Sequence, residues 1–420
     1  IERSKERLQR LPYVEKVEFE KKPVAGSGDL VDVNFDVKEG LPGDFGGAID
    51  YSQSQSFFVK GDVVLNNFLG TGDRIALEGA AGKYNKSLNL SHTDPYTSID
   101  GVSRTTTLTY REGTRFVTAA SNLSTTQISL ASFWSYPISE YQSLQAGVSV
   151  NEAKLLTTLG YSSLQAVDWV RQNGNTYFSR DFEPTVQYYY YGTKFDTYEV
   201  SGGWSFDSRN RALFADRGLR SAVSGRLALP GSGVEYYRLN SDLLQYVPLG
   251  WKYVLSLHGS VDYGAPLGGT SSMPPYLNFY AGGVDSIRGY RDSTLGPRDN
   301  INTGDPYGGN LRIVGNVELL FPIPEKWKNA FRVSWFYDVG NVFQTGSRVE
   351  FKGVDKYTPV TYHFEQWSDL KRSTGVAVQW LSPAGLLRFT LGIPLNAYRG
   401  DAVNYGDVTE RFQFSLGQAF

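Results

Sequence analysis

Arg288 stands in Gly282-Gly283-Val284-Asp285-Ser286-Ile287-Arg288-Gly289-Tyr290-Arg291, inside a Gly-, Pro- and Asp-rich segment running from about Tyr263 to Asn310. A structureless segment of that length is uncommon in a compact domain. Its paired glycines and the aromatics Phe279 and Tyr280 suggest an ordered loop. The chemistry open to Arg288 is recognition of carboxylates, because a guanidinium presents a fixed fork of donors. If the loop tucks inward, that charge needs an acidic partner, since burying it unpaired is very costly. If the loop stays in solvent, Arg288 is an ordinary hydrated charge, the usual state of an arginine.

Other chemistries find little support. His92, His258 and His363 are scattered without metal-ligand spacing, and with no Cys in the chain a thiolate site is excluded. The paired glycines are no phosphate cradle, because no strand-to-helix context follows them. A barrel hydrolase would need a Ser or His nucleophile arrangement that does not stand out. We therefore expect no enzyme activity, no catalytic residue, no metal and no cofactor.

The elements that must position Arg288 are strands. The 420 residues include 8 Trp, 28 Tyr, 24 Phe and 45 Gly, and no apolar run is long enough for a membrane-crossing helix. A net charge of −2 gives no reason to expect nucleic acid as a partner. From Phe45 onward, period-two segments of roughly 8 to 14 residues alternate with turn chemistry, and we count sixteen. The connections also alternate. Short turns include Phe68-Leu69-Gly70-Thr71-Gly72, Pro137-Ile138-Ser139-Glu140, Pro248-Leu249-Gly250 and Ser382-Pro383-Ala384-Gly385, while 157–192, 265–309 and 344–372 are long.

The faces decide between lipid and water outside. Leu311, Ile313, Val317, Leu319 and Phe321 share one face of their segment, and Arg312, Asn316 and Glu318 lie on the other. Phe331, Val333, Trp335, Tyr337 and Val339 likewise oppose Arg332, Ser334 and Asp338. Lipid outside and a wet lumen explain both faces. Aromatics near segment ends, such as Tyr236, Tyr246 and Trp251, fit interfacial girdles. The expected fold is an all-β, transmembrane, sixteen-stranded antiparallel barrel of the outer-membrane type. The plainer alternative is a large periplasmic β-sandwich.

The first 39 residues read differently. Arg3 to Leu11 is helix-like, and two alternating segments around Val17 to Phe19 and Val31 to Val37 flank the turn Ala25-Gly26-Ser27-Gly28-Asp29. So small an α+β piece folds poorly alone. We read it as the end of a cut domain, joined to the barrel at Gly40-Leu41-Pro42-Gly43, and the chain as a mature or truncated product without a signal peptide.

The first barrel segment, Gly46-Gly47-Ala48-Ile49-Asp50-Tyr51-Ser52, is short and Gly-rich. The last alternates Phe412, Phe414 and Leu416 with Arg411, Gln413 and Ser415, then carries Gly417 and ends on Phe420. These two must pair to close the barrel. Glycine weakens a strand, so this seam is a candidate for opening and for offering an edge to an incoming strand. The glycines could equally be bends that let the sheet curve.

Ile287-Arg288-Gly289-Tyr290 after Phe279-Tyr280-Ala281-Gly282-Gly283 resembles the loop motif of the assembly factors that insert β-barrels into the bacterial outer membrane. Asn67-Phe68-Leu69-Gly70-Thr71-Gly72, Asp94-Pro95-Tyr96, Gln379-Trp380-Leu381-Ser382-Pro383 and Phe412-Gln413-Phe414-Ser415-Leu416-Gly417 are similar to further segments of that family, in the same order. The resemblance implies a sixteen-stranded barrel (40–420) preceded by the end of a polypeptide-transport-associated, or POTRA, domain (1–39). It implies an outer-membrane location with the N-terminal remnant in the periplasm. It implies a lumenal latch in which Arg288, with Gly289 and Tyr290, meets Glu318 and Asp338, and a lateral seam formed by Gly46, Gly47, Phe412, Phe414, Gly417 and Phe420. The implied partners are unfolded outer-membrane proteins, accessory lipoproteins, periplasmic chaperones and a lipid bilayer with lipopolysaccharide. Secretion transporters of the same superfamily share the tetrad, so a polypeptide route through the lumen is the alternative function.

Overall fold

The computed structural model describes residues 14–24, 30–40, 43–52, 56–115, 123–183, 186–299, 303–345, 370–383, 385–400 and 405–417, with positions 5, 8 and 26. Of the expected N-terminal helix only Lys5 and Leu8 are described, both helical, and Phe420 lies outside the described residues.

Two strands, β1 (Val14–Pro23) and β2 (Val31–Glu39), form a small antiparallel sheet of their own. The large sheet opens with β3 (Gly43–Ser52), β4 (Ser56–Leu65), β5 (Arg74–Gly82), β6 (Asn85–Asp94) and β7 (Ser103–Arg115). It continues with β8 (Leu123–Pro137), β9 (Gln142–Thr158), helix α1 (Leu164–Gln172), β10 (Asn175–Glu183) and β11 (Val186–Asp207). Then follow β12 (Gly218–Ala228), β13 (Glu235–Pro248), β14 (Val254–Leu267) and β15 (Leu311–Leu320). β16 (Phe331–Phe343), β17 (Lys371–Ser382), β18 (Gly385–Pro394) and β19 (Phe412–Gly417) complete it.

Each barrel strand pairs antiparallel with the next, and β19 returns to β3 to close the ring. β10 is the exception. It flanks the first residues of β11, while residues 190–206 of β11 pair with β9, so the ring itself has sixteen strands. The 22-residue β11 thus carries the sheet beyond its pairing with β9.

The stretch 157–192, read from sequence as a loop, is in fact built. Ser163 caps α1 by accepting from the Ala166 amide, and Ala166, Val167, Trp169 and Val170 are buried. Ala166, Trp169 and Val170 make one apolar face, which packs in a cluster with Phe195, Tyr236, Met273 and Leu277. The nine-residue length hid it among strand-like neighbours.

The side-chain distribution is inverted relative to a water-soluble barrel. Leu239, Leu243, Val261, Trp335, Val376 and Leu391 are exposed on alternate strand positions, whereas Asp50, Glu199, Asp262 and Asp338 are buried inside. Two of the buried carboxylates have paired cations: Lys60 lies 2.5 Å from Asp50, and Arg312 lies 2.6 Å from Asp262. Trp251, on the turn between β13 and β14, is 91% exposed and suits a membrane-interface girdle.

This distribution carries a depth-dependent prediction. Val261 lies near the middle of β14 and Leu255 near its start. Val261→Arg should destabilise the barrel in bilayers by about 2–4 kcal/mol and Leu255→Arg by about 0–1 kcal/mol. Denaturant-linked refolding into lipid vesicles measures both, and equal costs would contradict a lipid-facing exterior.

Candidate functional site: a lumenal latch and a short seam

The segment between β14 and β15 folds back inside the barrel. A tight turn starts it: the Ser286 hydroxyl donates to Gly282 O at 2.9 Å and accepts from Gly282 N at 2.8 Å, and Gly283 N donates to Tyr290 O at 2.9 Å. Ile287, Tyr290 and Leu295 then bury completely with Ala281, Val314 and Val342. Gly289 has φ +85° and lies against Gly392 of β18, where a Cβ on Gly392 would come within 2.7 Å of the Gly289 nitrogen. Only glycine at both positions permits that approach.

Arg288 is 5% exposed and sits between two carboxylates. Its Nε and Nη2 donate to Asp338 Oδ2 and Oδ1 at 2.8 and 2.6 Å, and Nη1 donates to Glu318 Oε1 at 2.5 Å. Its backbone N–H also donates to Asp338 Oδ2 at 3.0 Å. Asn316 Nδ2 donates to Asp338 Oδ1 at 2.8 Å and to Ser286 O at 2.6 Å. The fully buried Asp338 therefore receives four hydrogen bonds, and the guanidinium stacks 3.7 Å from the Phe336 ring centroid. The trio is thus assembled, with Arg288 on the loop, Glu318 on β15 and Asp338 on β16.

Sequence reasoning did not single out Asn316, Phe336 or Gln413. Asn316 and Gln413 stood on the polar faces of their strands, which was the available signal. His258 joins the network as well, with Nδ1 2.8 Å from Asn316 Oδ1 and Nε2 2.8 Å from Asp242 Oδ2.

At the seam, the described register holds two pairs, Ser415 with Ser52 and Leu416 with Tyr51. Every other junction around the ring holds six or more, from β18–β19 upward. Phe414 packs between Tyr51 and Phe389, at 5.8 and 5.1 Å between ring centroids. Phe412 is exposed opposite Leu391.

Two expectations change. The first strand is not short: β3 has ten residues, and the short described strand is β19 with six. Gly46 and Gly47 lie opposite Asp62 and Gly61 of β4, away from the described seam pairs. Gly417 pairs with Leu386, and a Cβ there would meet nothing.

A closed antiparallel barrel with an apolar exterior, a polar interior and an inward-folded loop defines a bacterial outer-membrane β-barrel protein. Residues 67–420 match the Omp85 superfamily domain, and the chain belongs to that superfamily. It is 31% identical over 437 residues to the outer membrane protein assembly factor BamA of Neisseria meningitidis serogroup B, covering 100% of this chain and 52% of that protein. It is 27% identical to the BamA of Nitratidesulfovibrio vulgaris, covering 100% of this chain and 47% of that protein. The chain thus spans about half the length of these relatives. Among solved structures it is similar to BamA from Haemophilus ducreyi lacking POTRA domains 1–3. The TM-score is 0.81 at 26% identity, covering 100% of this chain and 78% of that one.

The latch geometry yields a measurable ranking. Arg288→Ala leaves Asp338 and Glu318 facing each other without their cation, a loss of about 3–5 kcal/mol for a buried pair. Arg288→Lys should recover only part, because an ammonium cannot fork across two oxygens. Urea titration of the folded barrel in detergent or bilayers reads both, and full recovery by lysine would show that charge alone suffices.

Proposed function

We propose that this chain is the barrel-forming part of an outer-membrane β-barrel assembly factor. It acts by parting the junction between β19 and β3 and offering the freed edge to an incoming strand. Residues 1–39 would be the C-terminal part of a periplasmic POTRA-like domain and 40–420 the barrel. The substrates would be unfolded outer-membrane proteins delivered by periplasmic chaperones, with accessory lipoproteins and lipopolysaccharide-containing lipid as further partners. No catalytic residue or cofactor enters this activity, which is strand exchange.

The observation that carries the proposal is that, among the described residues, the seam holds two register pairs while its neighbours hold six or more. Parting two strands in lipid costs roughly in proportion to the backbone groups left without partners. The barrel therefore opens most cheaply here. Transport through the lumen is less well supported. Trp169 Nε1 of α1 donates to Ser272 O at 2.9 Å, and Leu164 N donates to Asp299 Oδ2 at 3.0 Å. Helix and loop thus form one cap with its own apolar core, which a polypeptide would have to dismantle.

A disulfide lock tests the route. Ser52 and Ser415 are direct partners, and directly opposed strand residues have a Cα separation suited to a disulfide. Ser52→Cys with Ser415→Cys in the full-length protein should give a folded, heat-modifiable barrel that loses outer-membrane assembly when oxidised and regains it when reduced. Assembly at the normal rate with the lock closed would sink the seam route and favour the lumen.

A further inference from the structure

The same loop that holds Arg288 against β15 and β16 also grips the last strand. Gln413 is 1% exposed and points inward from β19. Its Oε1 accepts from Gly289 N at 3.1 Å, and its Nε2 donates to Tyr290 O at 2.7 Å. One side-chain amide therefore satisfies a peptide N–H and a peptide C=O of adjacent latch residues. The lead-in to β19 adds backbone bonds: Glu410 N donates to Gly289 O at 2.9 Å, and Arg291 N donates to Val408 O at 2.9 Å. Tyr290 forms an antiparallel bridge with Thr409. Between these ends, Gly289 lies on Gly392 of β18, and the Tyr290 hydroxyl lies 3.4 Å from Arg372 O of β17. The tetrad is thus a strut touching all five strands from β15 to β19.

The loop also meets open space. A cavity of about 420 Å³ lies beneath the seam, lined by the loop (Asp285, Asp292), by β3 and β4 (Asp50, Lys60) and by Gln413–Gly417 of β19 itself. The loop is thus hydrogen-bonded to β19 and its lead-in through Gln413, Val408 and Glu410, while the cavity separates part of it from the strands on both sides of the seam.

We propose that Gln413 is a positioning residue that ties the last strand to the latch, so that β15–β19 stay together as one body and seam opening is confined to the β19–β3 junction. The use of this tie in assembly rests on the function proposed above; the tie itself does not. Without the amide, Gly289 N–H and Tyr290 C=O lose the side chain that holds them to β19. The last strand can then part from β18 more readily than in the wild type, with only the six register pairs of that junction left to hold it.

Amide hydrogen exchange of the full-length protein in lipid nanodiscs, without substrate, tests the tie. Gln413→Leu keeps the approximate volume and removes both bonds. Exchange at 412–417 should quicken by at least about tenfold, the factor expected when two buried hydrogen bonds are lost. Exchange across β16 and β17 should stay unchanged. Gln413→Glu, when ionised, sets a buried carboxylate against Tyr290 C=O, so exchange at 412–417 should quicken at least as much as in Gln413→Leu. A rise spread evenly over β15–β19 would mean that Gln413 only stabilises the barrel, and would overturn the proposal. So would unchanged exchange at 412–417. Failure of the Ser52–Ser415 lock would remove the assembly reading and leave the exchange result to decide the tie.

Discussion

A strand in lipid has nowhere to place its N–H and C=O groups except on a neighbouring strand, and the architecture of this chain follows from that constraint. Fifteen consecutive junctions meet it with six to seventeen register pairs each. The sixteenth, β19–β3, has to close the ring with a last strand of six described residues. The barrel accordingly has one place where the lipid constraint is met with little to spare. Inside, the constraint is relaxed by polar partners, which is why Asp50, Glu199, Asp262 and Asp338 can be buried there while leucines and valines face outward.

The latch is costly on its own terms. Arg288, Glu318 and Asp338 all leave water, and such a desolvation is repaid only when every donor and acceptor finds a partner in good geometry. Here it does for Asp338, which receives bonds from Arg288 Nε, Nη2 and backbone N, and from Asn316. The return is geometric more than energetic. A forked pair fixes direction as well as distance, so Gly289 and Tyr290 are delivered to one place on the barrel wall. That place is the lead-in to the last strand.

Much of this was readable in the residues. Alternation made β16 legible, since Phe331, Val333, Trp335, Tyr337 and Val339 oppose Arg332, Ser334 and Asp338, with Phe336, Asn341 and Val342 as its only breaks. The same alternation put Glu318 and Asp338 on the lumenal face but could not choose them over Asp262, which the structure gives to Arg312. That choice needed the family resemblance. Gly43-Asp44-Phe45 looked like linker because two of the three residues favour turns, so β3 seemed short. Helix α1 was missed because nine residues give barely two turns of periodicity, in a region rich in strand-forming Tyr and Thr. The partners of Gln413 were out of reach for a deeper reason: they are peptide groups more than 120 positions away. Every residue carries such groups, so no sequence pattern marks the ones that will be used.

The two sides of the seam are consequently unlike. β3 pairs with β4 along ten residues, so its other edge is a long, regular row of backbone groups backed by a complete ladder. β19 has six described residues, and the strut holds it from inside. An edge offered to another chain must keep its shape while its partner leaves, and β3 has the ladder to do so. The strand that leaves must not drag its neighbours, and a strand fixed to five-strand packing through Gly289 and Tyr290 moves only with that whole arc. On the function proposed above, opening is a relative displacement of these two edges, with the cavity beneath the seam as the room for it. On that proposal the arginine trio, although remote in sequence from both edges, anchors the strut that directs opening to one junction.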